Sequence, residues 1–180
     1  MRRLTRYPAL IIGSGIIIAV ILIALLAPVL ATHDPTKTSL AMRLSPPGQA
    51  GFLMGSDTFG RDVWSRLIFG ARISLQVGLE SVAIGLGFGV LAGLLAGFYG
   101  GNVDMLIGRV LDVILAFPGI LLALAIVAAL GPSLDSAILA IAFTAIPRFA
   151  LVIRGVVLSL REREFVLAAR VVGSSPFRIL

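Results

Sequence analysis

The stretch ISLQVGLESVAIGLGFGVLAGLLAGF, residues 73–98, decides the fold class. It consists of apolar and small side chains interrupted only by Gln76 and Glu80. A run of about 20 such residues is what an α-helix needs to cross the roughly 30 Å hydrocarbon layer of a bilayer. Ser81, Gly85, Gly89, Gly93 and Gly97 recur within it at every fourth position. On a helix they line up as one stripe of minimal side chains. A second helix can approach closely along such a stripe, and van der Waals packing then replaces the hydrophobic force that lipid does not supply.

Three more apolar runs flank this one. Residues 9–31 are uncharged and follow Arg2, Arg3 and Arg6; residues 110–130 contain Asp112 and Pro118; residues 137–160 contain Pro147, Arg148 and Arg154. The chain as a whole is 58% hydrophobic and 13% charged, with a mean hydropathy of +1.07. Soluble domains carry about 25% charged residues. The expected fold is therefore an all-α polytopic membrane protein with four spans, at 9–31, 73–98, 110–130 and 137–160. A basic start before an apolar run also fits a cleaved signal peptide, but the apolar core exceeds the usual 7–15 residues, which favours a retained span.

Orientation is read from the arginines. Cytoplasmic flanks of spans are rich in Lys and Arg. Residues 1–8 should be cytoplasmic, and four crossings return Arg154, Arg161, Arg163, Arg170 and Arg178 to the same side. The segment 32–72 would then lie outside, although it holds Lys37, Arg43, Arg61, Arg66 and Arg72 against only Asp34, Asp57 and Asp62. It begins with turn material, His33-Asp34-Pro35 and Pro46-Pro47-Gly48. Asp57 or Thr58 can cap a helix over about 60–71, with Val63, Trp64, Leu67, Ile68 and Ala71 on one face and Arg61, Asp62, Ser65 and Arg66 largely off it. Such a helix suits the membrane interface or the protein's own outer surface.

Three charges fall inside or beside the spans: Glu80, Asp112 and Arg148. A charge at mid-bilayer costs about 2.5–3.5 kcal/mol on insertion scales, so each should face protein or water. Asp112 is expected near Arg109 at a cytoplasmic helix end. Glu80 is within reach of the outer interface and can snorkel. Arg148 fits a pathway and a structural role equally. Pro118 and Pro147 each remove an intrahelical hydrogen bond and should kink their helices. The last twenty residues, REREFVLAARVVGSSPFRIL, turn abruptly polar. Phe165, Val166, Ala168, Ala169 and Val172 make an apolar stripe; Gly173 stops that helix, in a left-handed conformation, and Ser175-Pro176 starts another. This helix–Gly–helix element can dock on a soluble partner or lie on lipid headgroups.

Several functions are excluded. The chain has no cysteine and a single histidine, His33, so thiolate chemistry and a clustered metal site are absent from the sequence. No Gly-rich loop ending in Lys is present to cradle phosphates. The net charge of +6 comes from arginines flanking spans rather than from one basic face, which argues against nucleic acid. The chain is not expected to be an enzyme.

Ala168-Ala169-Arg170-Val171-Val172-Gly173 resembles the Glu-Ala-Ala signature of ABC-importer permeases, with Leu167 where the family has Glu. Gly55-Ser56-Asp57-Thr58-Phe59-Gly60-Arg61-Asp62, Ser65-Arg66, Gly70-Ala71-Arg72-Ile73-Ser74-Leu75, Gly97-Phe98-Tyr99-Gly100-Gly101 and Ala116-Phe117-Pro118 are similar to blocks of one permease subunit of the dipeptide, oligopeptide and nickel importers. The resemblance implies a MetI-like helical fold, with four of the usual six spans present and the coupling motif at 161–180 incomplete. It implies a bacterial or archaeal inner-membrane permease forming half of a translocation pathway. The expected partners are a homologous permease, two ATP-binding cassette subunits that hold ATP and Mg, and an outer substrate-binding protein; no cofactor is expected on this chain. Glu164, Ala168, Ala169 and Gly173 would carry coupling to the ATPases. The small-residue stripe would pack this chain against the partner permease. The substrate would be a peptide, with nickel chelates or glutathione as alternatives. A truncated fragment acting as a non-transporting membrane protein is the competing reading.

Overall fold

The computed structural model describes residues 8–179. Arg2, Arg3 and Arg6, which carry the N-terminal orientation, and Leu180 lie outside the described residues. The described chain is built from α1 (Pro8–Leu25), α2 (Ala27–Leu30), α3 (Val63–Tyr99), α4 (Gly101–Leu115), α5 (Gly119–Leu130), α6 (Leu134–Arg161), α7 (Glu164–Val171) and α8 (Pro176–Ile179), with short 3-10 turns at Leu40–Met42 and Gln49–Gly51. It divides into two compact units, and the boundary after Gln76 falls within α3.

In the first unit α1 is apolar throughout. It stops because Pro28 has no N–H to give the Ala24 carbonyl and its ring crowds that turn; the break sits at Leu26 and α2 resumes for one turn. The segment after Ala31 is folded, not a simple linker. Gly60 has φ +71, and a Cβ there would lie 1.8 Å from the Ser39 carbonyl oxygen, so only glycine fits this crossing of two backbones. The helix expected at about 60–71 and the span expected at 73–98 are one continuous helix, α3, of 37 residues. Nothing between Arg72 and Ile73 interrupts helical spacing or removes a backbone donor, so the two elements fuse. Its start also differs from expectation. Asp62, rather than Asp57 or Thr58, accepts the Ser65 amide (3.1 Å) in the manner of an N-cap.

The face buried by this first stretch of α3 is not the apolar one read from the sequence. Asp62, Ser65 and Ile68 are buried, whereas Leu67 is 60% exposed. The polar pair can be buried because it is bonded to a distant segment. The Thr32 hydroxyl donates to Asp62 Oδ2 (2.8 Å), the Ser65 hydroxyl donates to the same oxygen (2.6 Å), and the Thr32 and His33 amides donate to Ser65 Oγ (both 3.1 Å). Trp64 donates its indole N–H to the Leu30 carbonyl (3.0 Å), which takes its polar edge out of contention as a lipid-interface anchor.

In the second unit the expected third span, 110–130, is two helices. α4 and α5 meet at 88° across Ala116–Pro118. Pro118 supplies no amide donor and pushes Phe117 out of the α region, and α5 starts directly after it. Pro147, in contrast, sits buried inside a continuous α6. The start of α6 is capped by Ser133, whose hydroxyl oxygen accepts the Ser136 amide (3.0 Å). By length and composition α3 and α6 could each cross a bilayer, and α4 with α5 could do so together. The core between them is rich in small side chains: Ser81, Ala96, Ser136, Ala140, Ala142 and Ala150 are buried alongside Leu111, Ile138 and Pro147.

Candidate functional site

The small-residue stripe of α3 lies on α6. The Ser81 hydroxyl donates to the Ile138 carbonyl (3.1 Å). A Cβ on Gly89 would be 2.5 Å from Phe149 Cβ, one on Gly93 would be 2.5 Å from the Ala150 carbonyl oxygen, and one on Gly97 would be 2.8 Å from Val157 Cβ. At Gly85 the nearest atom would be the Ala142 carbonyl oxygen at 3.0 Å. The helix that fills the groove belongs to the same chain. The expectation that this stripe faces the partner permease is corrected accordingly: the four-residue repeat specifies a close helix neighbour and carries no information on which helix supplies it.

The charges expected near the pathway lie on three different helices. Glu80 on α3, Asp112 on α4 and Arg148 on α6 are all exposed. Among the described residues none of the three takes part in an ion pair, the expected Asp112–Arg109 partnership included. The pair that does form was missed in the sequence. Arg154 of α6 holds Asp104 of α4 in a two-pronged contact, Nε to Oδ1 at 2.5 Å and Nη2 to Oδ2 at 2.7 Å. Fork-to-fork bonding of this kind fixes orientation as well as distance. The available signal was an acid in the first turn of one helix and an arginine inside an apolar helix, and nothing in their spacing joins them. Asp104, Met105, Gly108, Arg109, Asp112, Leu151 and Arg154 line an open cleft of about 310 Å³.

The C-terminal element is anchored on one side and open on the other. Val166 of α7 is buried, while Phe165, Val171 and Val172 are 66%, 88% and 84% exposed. The stripe read as one apolar face is thus divided between an inward anchor and an outward patch that includes Ala168. Two arginines meet the end of α3: Arg161, the last residue of α6, donates through Nη1 to the Gly97 carbonyl (3.2 Å), and the guanidinium of Arg170 on α7 lies 5.9 Å from the Phe98 ring centre. α7 closes with Gly173 at φ +82; the Gly173 amide donates to Arg170 O and the Ser174 amide to Ala169 O, both at 3.0 Å. These two bonds satisfy the orphan carbonyls of the last turn in the Schellman manner. A Cβ on Gly173 would meet nothing within 4 Å, so its requirement for glycine is conformational and not steric. Ser175 then accepts the Arg178 and Ile179 amides through its carbonyl as α8 begins. Glu164 lies exposed in the first turn of α7, where a carboxylate favours the helix dipole.

Asp57 organises the charge of segment 32–72. Its Oδ1 accepts the Phe59 and Arg61 amides, and its Oδ2 accepts from Arg61 Nε and Arg66 Nη1, each at 2.8 Å. Partial burial works against its ionisation, but the Arg61 and Phe59 amides and the Arg61 guanidinium outweigh it and bring its pKa from 3.8 to about 2. Two of the five basic residues that looked discordant outside are therefore paired locally, and the single charge of Asp57 offsets one of them.

Residues 89–180 match the model of the binding-protein-dependent transport system inner membrane component family, and residues 1–47 match the N-terminal transmembrane domain of oligopeptide transport permease C. The chain is 47% identical over 179 residues to the dipeptide transport system permease protein DppC of Alkalihalophilus pseudofirmus, covering 99% of this chain and 59% of that protein. It is 43% identical over 173 residues to the di/tripeptide transport system permease protein DppC of Pseudomonas aeruginosa, covering 93% and 57%. It is 37% identical over 179 residues to the glutathione transport system permease protein GsiD of Pectobacterium atrosepticum, covering 99% and 60%. The chain spans about three fifths of the length of these relatives. With a helical fold, apolar helices of membrane length and a family match over half its residues, this chain belongs to the binding-protein-dependent transport system inner membrane components, the permease subunits of ABC importers.

Proposed function

We propose that this chain is part of the permease subunit of an ATP-driven importer of dipeptides or oligopeptides, and that α7 and α8 transmit the ATPase movement to the spans. The observation that carries the reading is the asymmetry of the C-terminal element. Its inner side is held by the buried Val166 and by Arg170 against Phe98 of α3, beside the α6 end that Arg161 bonds to Gly97, while Phe165, Ala168 and Val172 are presented outward. An element gripped by the spans and apolar on its free side can pass a push from a docked subunit into the bundle. Leu167 stands where the family signature has an acid, so docking rests on packing instead of a charge at that position. ATP and Mg belong to the two cassette subunits. A homologous permease and an outer binding protein complete the assembly in this reading. The peptide class rests on the names of the relatives, which range from dipeptide to glutathione transport.

The test uses the full-length protein assembled with its ATPase subunits in proteoliposomes. Gly173→Val places a β-branched residue at φ +82, and Ala169→Glu adds a charge to a half-exposed small site. Both variants should insert and retain the ATPases on co-purification, yet lose dipeptide uptake while ATP hydrolysis no longer responds to substrate. Wild-type stimulation and uptake in both would remove α7 from the mechanism.

A further inference from the structure

We infer that α4 does not cross the bilayer but lies along its cytoplasmic boundary, seated on lipid through Val103, Leu106, Val110 and Val113. It is a different placement from a span, and it rests on the reading of the chain as a multi-pass permease subunit. The first observation is direction. α4 meets α5 at 88°, so if α5 runs with the membrane normal, α4 runs in the plane. The second is depth. Leu134 and Arg154 are twenty residues apart on α6, which at 1.5 Å per residue is about 30 Å, the thickness of the hydrocarbon layer. Arg154 therefore marks the inner boundary when Leu134 marks the outer one, and Arg154 is the residue that grips Asp104 of α4. α5 agrees: its 12 residues cover about 18 Å, and the 10–12 Å girth of an in-plane helix completes the layer.

The third observation is how α4 distributes its side chains. Leu111 is buried and Asp104 is bound to Arg154, which commits one face to the protein. Val103, Leu106, Val110 and Val113 follow helical spacing and are 39%, 67%, 54% and 62% exposed. Phe117, 55% exposed, continues the row beyond the helix end. Asn102, Arg109 and Asp112 occupy the remaining side together with Met105, which is 60% exposed. One packed face, one wholly apolar exposed face and one exposed face that carries all the unpaired polar residues beside Met105 is the division expected of a helix at a water–lipid boundary. Lipid, and not a second protein, is the occupant, because the row continues through Phe117 into the apolar surface of α5.

The experiment places single cysteines, in full-length protein otherwise free of cysteine and assembled in phosphatidylethanolamine–phosphatidylglycerol vesicles, at Val103, Leu106, Val110 and Val113 and at Asn102, Arg109 and Asp112. Each is spin-labelled, and collisions with oxygen and with a nickel chelate are measured. The four apolar positions should favour oxygen and report one common depth, while the three polar positions favour the chelate. A depth that increases by about 1.5 Å per residue from 103 to 113 would make α4 a span and overturn the proposal. Low collision with both reagents at the apolar positions would show protein covering them and also overturn it. Peptide uptake by the labelled assemblies, measured alongside, keeps the permease reading separate from the placement of α4.

Discussion

Asp57 and Asp62 show how differently one side chain can be used within a single turn-rich segment. Asp57 is partly exposed and gathers two amides and two guanidiniums; Asp62 is buried and gathers hydroxyls, leaving its Oδ1 without a partner among the described residues. Both are held below the usual carboxylate range: at each, burial opposes ionisation and hydrogen bonds to the charged form outweigh it. The sign of the consequence follows. A carboxylate whose folded pKa is depressed stabilises the fold above its ordinary pKa and loses that contribution as pH falls through the folded value. For Asp57 that window runs from about 4 down to about 2. Acid titration of the full-length protein in detergent, followed by the emission of Trp64, should show the segment loosening in that range. Asp57→Asn should loosen it at neutral pH and abolish the acid transition attributable to this residue. An unchanged transition in the variant would show that Asp57 does not hold the segment. Residue types alone foreshadowed little of this. Asp62 and Ser65 read as surface residues because they are polar, and only the return of Thr32 and His33, some thirty residues earlier, makes their burial affordable.

At the scale of elements, local spacing was readable and distant partnership was not. The four-residue repeat of Ser81, Gly85, Gly89, Gly93 and Gly97 announced a close helix contact, and Gly173 announced a left-handed stop; both depend only on residues near in sequence. The identity of α6 as the stripe's neighbour, and the Asp104–Arg154 clamp across fifty residues, depend on how helices are arranged, which periodicity does not encode. Pro118 was readable as a disruption, but a missing donor predicts a break and not its angle. The stripe yields a sharp prediction because α3 contains its own control. Gly89→Leu would force a side chain into Phe149 and the α6 backbone, whereas a Cβ at Gly87 meets nothing within 4 Å. Overpacking costs about 1–3 kcal/mol. Unfolding of the full-length protein in detergent should show Gly89→Leu and Gly93→Leu destabilised by that order, with Gly87→Leu near wild type. If instead Gly89→Leu kept its stability and released a partner subunit, the stripe would serve an interface between chains and the α6 contact would be secondary.

For the whole molecule the question is which side each connection occupies. By length and composition α3, α6 and the bent pair α4 with α5 could cross; if the shorter apolar α1 crosses as well, the count is even and the α7–α8 element lies on the side from which α1 starts. The arginines of the two ends would place that side in the cytoplasm. The long α3 is consistent with this. Its 37 residues make about 55 Å, and some twenty residues counted back from Tyr99 reach the outer boundary near Glu80. An exposed carboxylate is tolerable there and would be costly ten residues further in. Asp57 pairs with both Arg61 and Arg66 and offsets one of their two charges, so an outer location for 32–72 still carries five basic residues against three acidic ones. Because the chain contains no cysteine, single cysteines can report directly. In right-side-out vesicles holding the full-length protein without other cysteines, Pro46→Cys should react with an impermeant maleimide at once. Asn102→Cys and Ser175→Cys should react only after permeabilisation. The Asn102 position is the discriminating one, since it follows α3 and precedes the bent pair. Reaction of Asn102→Cys from outside would mean that α3 does not cross, and reaction of Pro46→Cys only from inside would invert the molecule and strip α7 and α8 of access to any cytoplasmic ATPase.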